Sequence, residues 1–555
     1  LAELLREQAY QTAGFISAYV LDARFGLNQG FDLFNDDVHL DGINQHLGAA
    51  ERSAATTTDH ALAWLQSRGD SDQPFFAWVH YFDPHANYAP PEPFATTYSD
   101  NLHDGEIAFV DQQIGRLLAG LPDAETAPTL VVVTADHGES LAAHGEHTHG
   151  YLAYDVTLRV PLLFHVTHQP LASSYIAHRV STVDIVPTVL ALLGITGSTT
   201  FDGMDLTQPP PADRAIYAET YHGFMEYGWA PLLAVYQGDY KLIHGPDPEF
   251  YNVARDPFEH ARIAAPAAPL HARLYTELRR LFGEEVTSNG TIEATTTVSP
   301  DELQRLQTLG YVFAGGHDRS DDTPRPDPKD RIDLVNRIFE ITCYYQPRGM
   351  IEETITRLEA LTDRYPDAYA AWFNLATVYW EESRLAEAEG AFAECVALRP
   401  RAAESRYRLA QVRMADGRAD EAVPLLEELL VTHPDHFEAR RDLASALAAV
   451  GRLRDAAEHM RRAFELNPAC PDCVPQLVRI YQESGWEKQL VELLSDALRQ
   501  QPTLHRLRNA LAGVHARAGR LQRAESVLRE GLRVDPDNSF VRARLAWFLV
   551  NRPDS

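Results

Sequence analysis

The chain has 555 residues, of which 45% are hydrophobic and 23% charged, the composition of several folded domains and not of one small domain or a disordered chain. Its formal net charge of −30 works against nucleic acid and anionic lipid as partners. No apolar run reaches the roughly 20 residues of a membrane-spanning helix, so no transmembrane segment is expected in this chain. The charge is uneven: residues 333–555 hold 34 acids and 30 bases, which leaves −26 of the total in residues 1–332. Two unlike modules follow.

In chain order, Leu1 to Tyr10 reads as a helix with no initiator methionine or charged-then-apolar leader before it, as expected of an N-terminally truncated piece. Thr12 to Tyr19, Phe75 to Phe82, Leu130 to Thr134 and Pro161 to Val166 read as buried strands, with helices at His60 to Arg68 and Glu106 to Ala119. This alternation predicts an α/β sandwich with a largely parallel sheet, whose sites lie beyond the carboxyl ends of its strands. Ala215 to Phe282 carries three further strand signals and then a helix, so a small α+β subdomain is expected. Ser299-Pro300-Asp301-Glu302 is a helix start, and that helix should run to about Leu309. Gly315 to Arg331, rich in Asp and Pro, reads as an extended linker.

After the linker, Pro366, Pro400, Pro434, Pro468, Pro502 and Pro536 recur every 34 residues, in step with Gly349, Ser383, Gly417, Gly451, Gly485 and Gly519. Leucines and alanines keep the same phase, Ala388, Ala422, Ala456 and Ala524 among them. Each unit reads as two helices that bury their apolar faces only by stacking on neighbours, giving an all-α solenoid with a concave face. The pattern resembles tetratricopeptide repeats: six units from Asp333, the first degenerate, and a last helix from about Asp537 to Val550 that caps the stack. The four cysteines all lie here, and the Cys470–Cys473 pair, without a second pair for zinc, is expected to pack as ordinary side chains.

The candidate chemistry sits at two strand ends. Leu130 to Thr134 delivers Asp136-His137-Gly138-Glu139, a pattern that can offer a carboxylate and an imidazole to one metal ion. His144, His147 and His149 follow, so four histidines fall within 13 residues. The other strand end runs into Asp83-Pro84-His85. His80 is read as facing the core, Arg159 as a buried partner of Asp155, and Asp104 and Asp111 as cap and surface residues. Only three lysines exist, Lys241, Lys329 and Lys488.

Three ordered blocks, PFFAWVHYFDPHANYAPPEPF, TLVVVTADHGESLAAHGEHTHGYLAYDVTLRVPLLFH and VSTVDIVPTVLALLGI, resemble the sulfatase family of the alkaline phosphatase superfamily. The resemblance covers residues 1 to about 313. It implies an alkaline-phosphatase-like α/β sandwich, incomplete at its N-terminus, in residues 1–198 and a small C-terminal subdomain in 199–313; with the linker and the repeats, the remaining boundaries are 314–332 and 333–555. It also implies hydrolysis of sulfate, or phosphate or phosphonate, monoesters beside one divalent metal ion, Ca²⁺ first and Mg²⁺, Mn²⁺ or Zn²⁺ as alternatives. Asp136 and His137 match the family's later metal ligands, although many members have Asn at the second position. His85 matches the histidine on the ester or leaving group, and His149 falls where the family has a lysine, with His147 as the fallback.

The family's nucleophile pattern (Cys or Ser, any residue, Pro, Ser, Arg) and its first metal carboxylates are not found in these residues, so no nucleophile is assigned and the chain alone is expected to be inactive. The expected partners are the ester substrate and a protein segment on the concave face of the repeats. Two other functions fit the sequence: a repeat-based binding protein with a degenerate sulfatase-like scaffold, and a phospho-headgroup transferase with a Thr nucleophile. A periplasmic or extracellular location would follow only from a signal in a preceding segment.

Overall fold

The computed structural model describes residues 1–38, 51–69, 71–123, 125, 127–167, 175–196, 200–264, 266–283, 325–400, 402–468, 470 and 473–550. Contacts divide them into two units, residues 1–283 with 325–350, and residues 351–550. The expected helix at Ser299 to Leu309 and residues 314–324 of the expected linker lie outside the described residues.

The first unit is mixed α/β. Strand β1 (Gln11–Phe15) lies between β2 (Leu33–Asn35) and β3 (Phe75–Val79), all parallel, with Ala13 opposite both Leu33 and Ala77. On one face Phe15 and Phe75 pack against Trp64 of the helix Ala54–Ser67, with Leu117 of the helix Leu102–Ala119 beside them. The opposite face is a stack of aromatic rings, Phe31 on Phe76 and Trp78, with Phe34 tilted against them. Gly14 is required in this layer, because a Cβ there would stand 2.6 Å from the Phe34 ring.

The expectation of a largely parallel sheet holds for these three strands and fails for the next two. β4 (Leu130–Thr134) and β5 (Leu162–Val166) pair antiparallel, Val132 opposite Phe164, as a two-stranded sheet of their own among the described residues. With a partner on one edge only, they are half-exposed and not the buried strands expected; Leu163 is 56% exposed. A four-stranded antiparallel meander follows: β6 (Ala215–Thr220), β7 (Leu232–Gln237), β8 (Tyr240–His244) and β9 (Glu249–Asn252). The helix Ala268–Phe282 lays Leu274, Tyr275 and Leu278 on Leu233, Val235, Leu242 and Phe250.

The second unit is helical throughout, from Ile351–Arg364 to Ser539–Val550. The in-phase turn residues Gly417, Gly451, Gly485 and Gly519 all have φ between +72° and +82°, and Ser383 takes the same left-handed turn at +59°. The in-phase alanines 388, 422, 456 and 524 are fully buried, and so is Leu490, the exception at the same phase. A feature absent from the sequence expectations repeats with the same period. Trp372, Arg406, Arg440, Arg508 and Arg542 each donate to the carbonyl of the proline six residues earlier, satisfying an acceptor at the end of the preceding helix. Val474 breaks the series.

Cys470 and Cys473 form a disulfide where the helix Cys473–Glu483 begins, in place of the plain packing expected. The last helix, Ser539–Val550, buries Val541, Leu545 and Phe548 against Ala512, Ala524 and Leu528, while Phe540 and Trp547 on its other side are exposed. Because each helix of such an array is stabilised by its neighbours, Ala422→Phe should cost about 1–3 kcal/mol by overpacking. Urea denaturation of residues 351–555, followed by circular dichroism, should show a cooperative helical transition at a lower midpoint for the variant. An unchanged midpoint would contradict the register.

Candidate functional site

The end of β4 is held in a tight turn. The Gly138 N–H donates to the Thr157 carbonyl at 2.7 Å, and a Cβ on Gly138 would stand 2.4 Å from the Val156 carbonyl oxygen, so only glycine lets the two backbones meet. The His137 N–H donates to Asp136 Oδ1 at 2.9 Å, and the His137 Nδ1 lies 2.9 Å from the Gly138 carbonyl. With Nδ1 turned to that carbonyl, the Nε2 lies 3.6 Å from Asp136 Oδ2. The Asp136 side chain is 80% exposed. A carboxylate oxygen and an imidazole nitrogen facing one point fit two ligands of a divalent cation. Among the described residues no group of three or more His, Cys, Asp or Glu is arranged to hold a metal.

His149 comes back onto this pair. Its ring stacks on that of His137 with centroids 3.8 Å apart, and its Nδ1 lies 3.2 and 3.3 Å from the two Glu139 oxygens. Burial alone would raise the Glu139 carboxyl, but His149 first, then Tyr88 and His137, outweigh it and hold it below the usual carboxylate range. Glu139 therefore braces His149.

His85 arrives from the end of β3. Its ring stacks on Phe82 at 4.0 Å and lies 5.9 Å, edge to face, from that of His149. Its Nδ1 is 2.6 Å from the Ala86 carbonyl. Burial, then the neighbouring His149, lowers its pKa against the opposing pull of the Ala86 carbonyl and Glu139. A neutral ring with its Nδ1 proton committed presents Nε2 as an acceptor, so His85 takes a proton before it can give one.

Glu106 was missed. It lies on the helix Leu102–Ala119, is buried, and accepts the N–H groups of His85 at 3.0 Å and Ala89 at 2.7 Å, clamping the loop that carries His85. The available signal was its phase: Glu106, Phe109 and Gln113 share the buried face of that helix. Burial raises its pKa, opposed by those two N–H groups.

The other histidines do not join the cluster. His144 stacks on Tyr154 at 3.7 Å with its Nε2 3.0 Å from the Phe258 carbonyl, and His147 is exposed. His80 is half-buried beside Trp78, its Nδ1 facing the Ser17 N–H at 3.5 Å. The expected Arg159–Asp155 pair does not form. Arg159 is exposed, and Asp155 faces the fully buried Lys241 at 3.2 Å and accepts from the Tyr236 hydroxyl.

Residues 1–195 match the family model for sulfatases, and residues 351–403 and 407–471 match that for the tetratricopeptide repeat. The chain thus carries a sulfatase-family domain followed by these repeats. It is similar to the uncharacterized sulfatase YidJ of Escherichia coli, 24% identical over 40% of this chain and 53% of that protein. It is also similar to the Delta 4,5-hexuronate-2-O-sulfatase of Bacteroides thetaiotaomicron, 26% identical over 37% of this chain and 44% of that protein. The chain spans about half the length of these curated relatives. Among solved structures, Ps i-CgsB in complex with k-i-k-neocarrahexaose aligns at 17% identity and a TM-score of 0.43, over 56% of this chain and 78% of that one.

Glu146, buried beneath the histidine segment and accepting the Tyr151 N–H at 2.8 Å, is pushed by burial up to about 7. A carboxyl raised in the folded state binds more protons folded than unfolded, so stability falls as pH rises from about 4.5 to about 7. The span corresponds to about 3 kcal/mol. Chemical denaturation across pH 4 to 8 should show the first unit losing stability through that window, and Glu146→Gln should flatten the loss. A wild-type-to-variant difference that does not change with pH would refute the assignment.

Proposed function

We propose that residues 1–283 carry part of a divalent-metal-assisted site for hydrolysis of sulfate monoesters, with phosphate and phosphonate monoesters as alternative substrates. What supports this is the stack of His149 on His137 beside the Asp136 carboxylate, within the residues that match the sulfatase family model. Asp136 and His137 would hold the cation, Ca²⁺ first with Mg²⁺, Mn²⁺ or Zn²⁺ as alternatives, which when bound polarises the ester oxygens and favours the ionised form of an oxygen nucleophile. His149, its Nδ1 turned to Glu139, presents Nε2 to the ester oxygens as the charge-absorbing donor in place of a lysine. His85 takes a proton and passes it to the leaving-group oxygen, and Glu106 keeps its loop in place. The nucleophile is assigned to none of these 555 residues. The repeats are proposed to hold an acidic or mixed-charge protein segment on their concave face.

The 555-residue chain should show no turnover of an aryl sulfate or aryl phosphate with Ca²⁺, Mg²⁺, Mn²⁺ or Zn²⁺ added; turnover abolished by Asp136→Ala would overturn this. In the protein as its gene encodes it, Asp136→Ala should lose metal and activity together, read by calorimetric metal titration and initial rates. His85→Ala and His149→Ala should keep metal and slow turnover by about 10²- to 10⁴-fold. Undiminished metal affinity in Asp136→Ala would sink the ligand assignment.

A further inference from the structure

The loop between Asp136-His137 and His149 holds three side-chain-bearing residues in the left-handed region. Leu141, Ala142 and His144 have φ of +49°, +70° and +52°, and Gly145 +81°. Side-chain-bearing residues adopt the left-handed region only where surrounding contacts enforce it. Part of the enforcement is internal: the Ser140 N–H donates to the Thr148 carbonyl at 2.9 Å, the Ala142 N–H to the Glu146 carbonyl at 2.8 Å, and the Ser140 hydroxyl to the Ala143 carbonyl at 2.7 Å. The rest comes from a distant part of the sequence.

Residues 325–340 supply it. The Ala230 N–H donates to the Pro326 carbonyl at 2.9 Å, the Asp247 N–H to Asp327 Oδ2 at 3.2 Å, and Lys329 Nζ to the Asp247 carbonyl at 2.7 Å, which fastens this stretch to the meander of the first unit. The helix Ile332–Glu340 continues from that fastening, and its Asn336 reaches the loop with both ends of its amide. The Nδ2 donates to the Gly145 carbonyl at 2.5 Å, and the Oδ1 accepts the His147 N–H at 3.1 Å. Ile332 closes the same contact: a Cβ on Gly145 would be 3.5 Å from its Cγ2. A side-chain amide that satisfies a backbone acceptor and a backbone donor two residues apart fixes that dipeptide as a neighbouring strand would.

We infer that Asn336 is a positioning residue for His149, holding the left-handed loop Leu141–Gly145 from a helix that lies outside the region matching the sulfatase family and precedes the array. On this reading the segment leading into the repeats is a working part of the site, although its sequence resembles a degenerate first repeat. The inference rests on the assignment of His149 to the site. The loop geometry itself can be tested without any turnover.

The test is residue-resolved hydrogen exchange on the full 555-residue chain, for the wild type, Asn336→Ala and Asn336→Asp. Asn336→Ala should speed exchange of the His147 amide by roughly threefold to tenfold. The β6–β9 amides and the array should keep their rates, and the imidazole carbon resonances of His149 should shift. Asn336→Asp keeps the acceptor but not the donor, so it should restore protection at His147. Unchanged exchange at His147 in Asn336→Ala, or acceleration spread evenly over the first unit, would overturn the inference. Because no arm measures hydrolysis, a failure of the hydrolase reading leaves a positive exchange result intact, and the reverse also holds.

Discussion

One fully buried ammonium sets the position of the candidate site. Lys241 on β8 lies 2.6 Å from Glu259 Oε1 and 3.2 Å from Asp155 Oδ1, with the Tyr236 ring 4.9 Å away. Asp155 closes the segment that begins at Asp136, so this pairing ties the far end of the histidine segment to the meander. Two carboxylates around one cation leave an excess negative charge in a dry place, and the remaining hydrogen bonds answer it. The Tyr236 hydroxyl donates to Asp155, and Glu259 accepts the Asp155 N–H at 2.5 Å. Burial still leads, raising the Glu259 carboxyl above its ordinary range against the pull of Lys241. Removing one member of such a group typically costs about 3–5 kcal/mol, because the partners stay buried and unpaired. The arrangement is therefore a strong constraint and a weak source of net stability.

With Asp155 fixed at one end and Gly138 fixed against Val156 at the other, the 16 residues between them cannot drift, and their strain becomes tolerable. Each left-handed residue with a side chain costs on the order of 1–2 kcal/mol. The loop meets that cost through Ser140, Glu146 and Asn336, whose bonds all end on its backbone. The outcome is preorganisation: His149 stands on His137 because the backbone beneath it has few alternatives.

How much of this could be read from sequence depends on how local the cause is. The 34-residue array was legible because each unit repeats the same neighbour contact, so the packing distance at Ala422 is reported again at Ala388, Ala456 and Ala524. That imidazoles from the β3 and β4 ends would meet was legible from Asp83-Pro84-His85 and Asp136-His137, since strand ends converge. Partners chosen across the fold were not legible. Asp155 takes Lys241, which is 86 residues away, and not the nearby Arg159. The clamp on His85 comes from a helix on which Glu106 looks like any acid unless its phase with Phe109 and Gln113 is followed. The antiparallel pairing of β4 with β5 was hidden because two short apolar runs carry no mark of direction. The arginines at 406, 440, 508 and 542 keep the period openly, but their role appears only when the carbonyls they reach are seen.

The scarcity of lysine gives the candidate site its character. On the function proposed above, a sulfate or phosphate ester would meet a module that carries −26 of the chain's −30 charges, so attraction would come from groups in contact and not from the long-range field. The groups the chain brings there are imidazoles, and neighbouring like charges disfavour each other's charged forms. His85 shows the effect, lowered by burial and by its neighbour His149. Glu139 works in the opposite direction, placing a carboxylate against His149 while His85 is left to its apolar stack on Phe82. Two histidines 5.9 Å apart thereby stand in unlike surroundings, one against a carboxylate and the other against an apolar ring. On the function proposed above, that difference would suit a single ester bond, with charge absorbed on one side and a proton handled on the other.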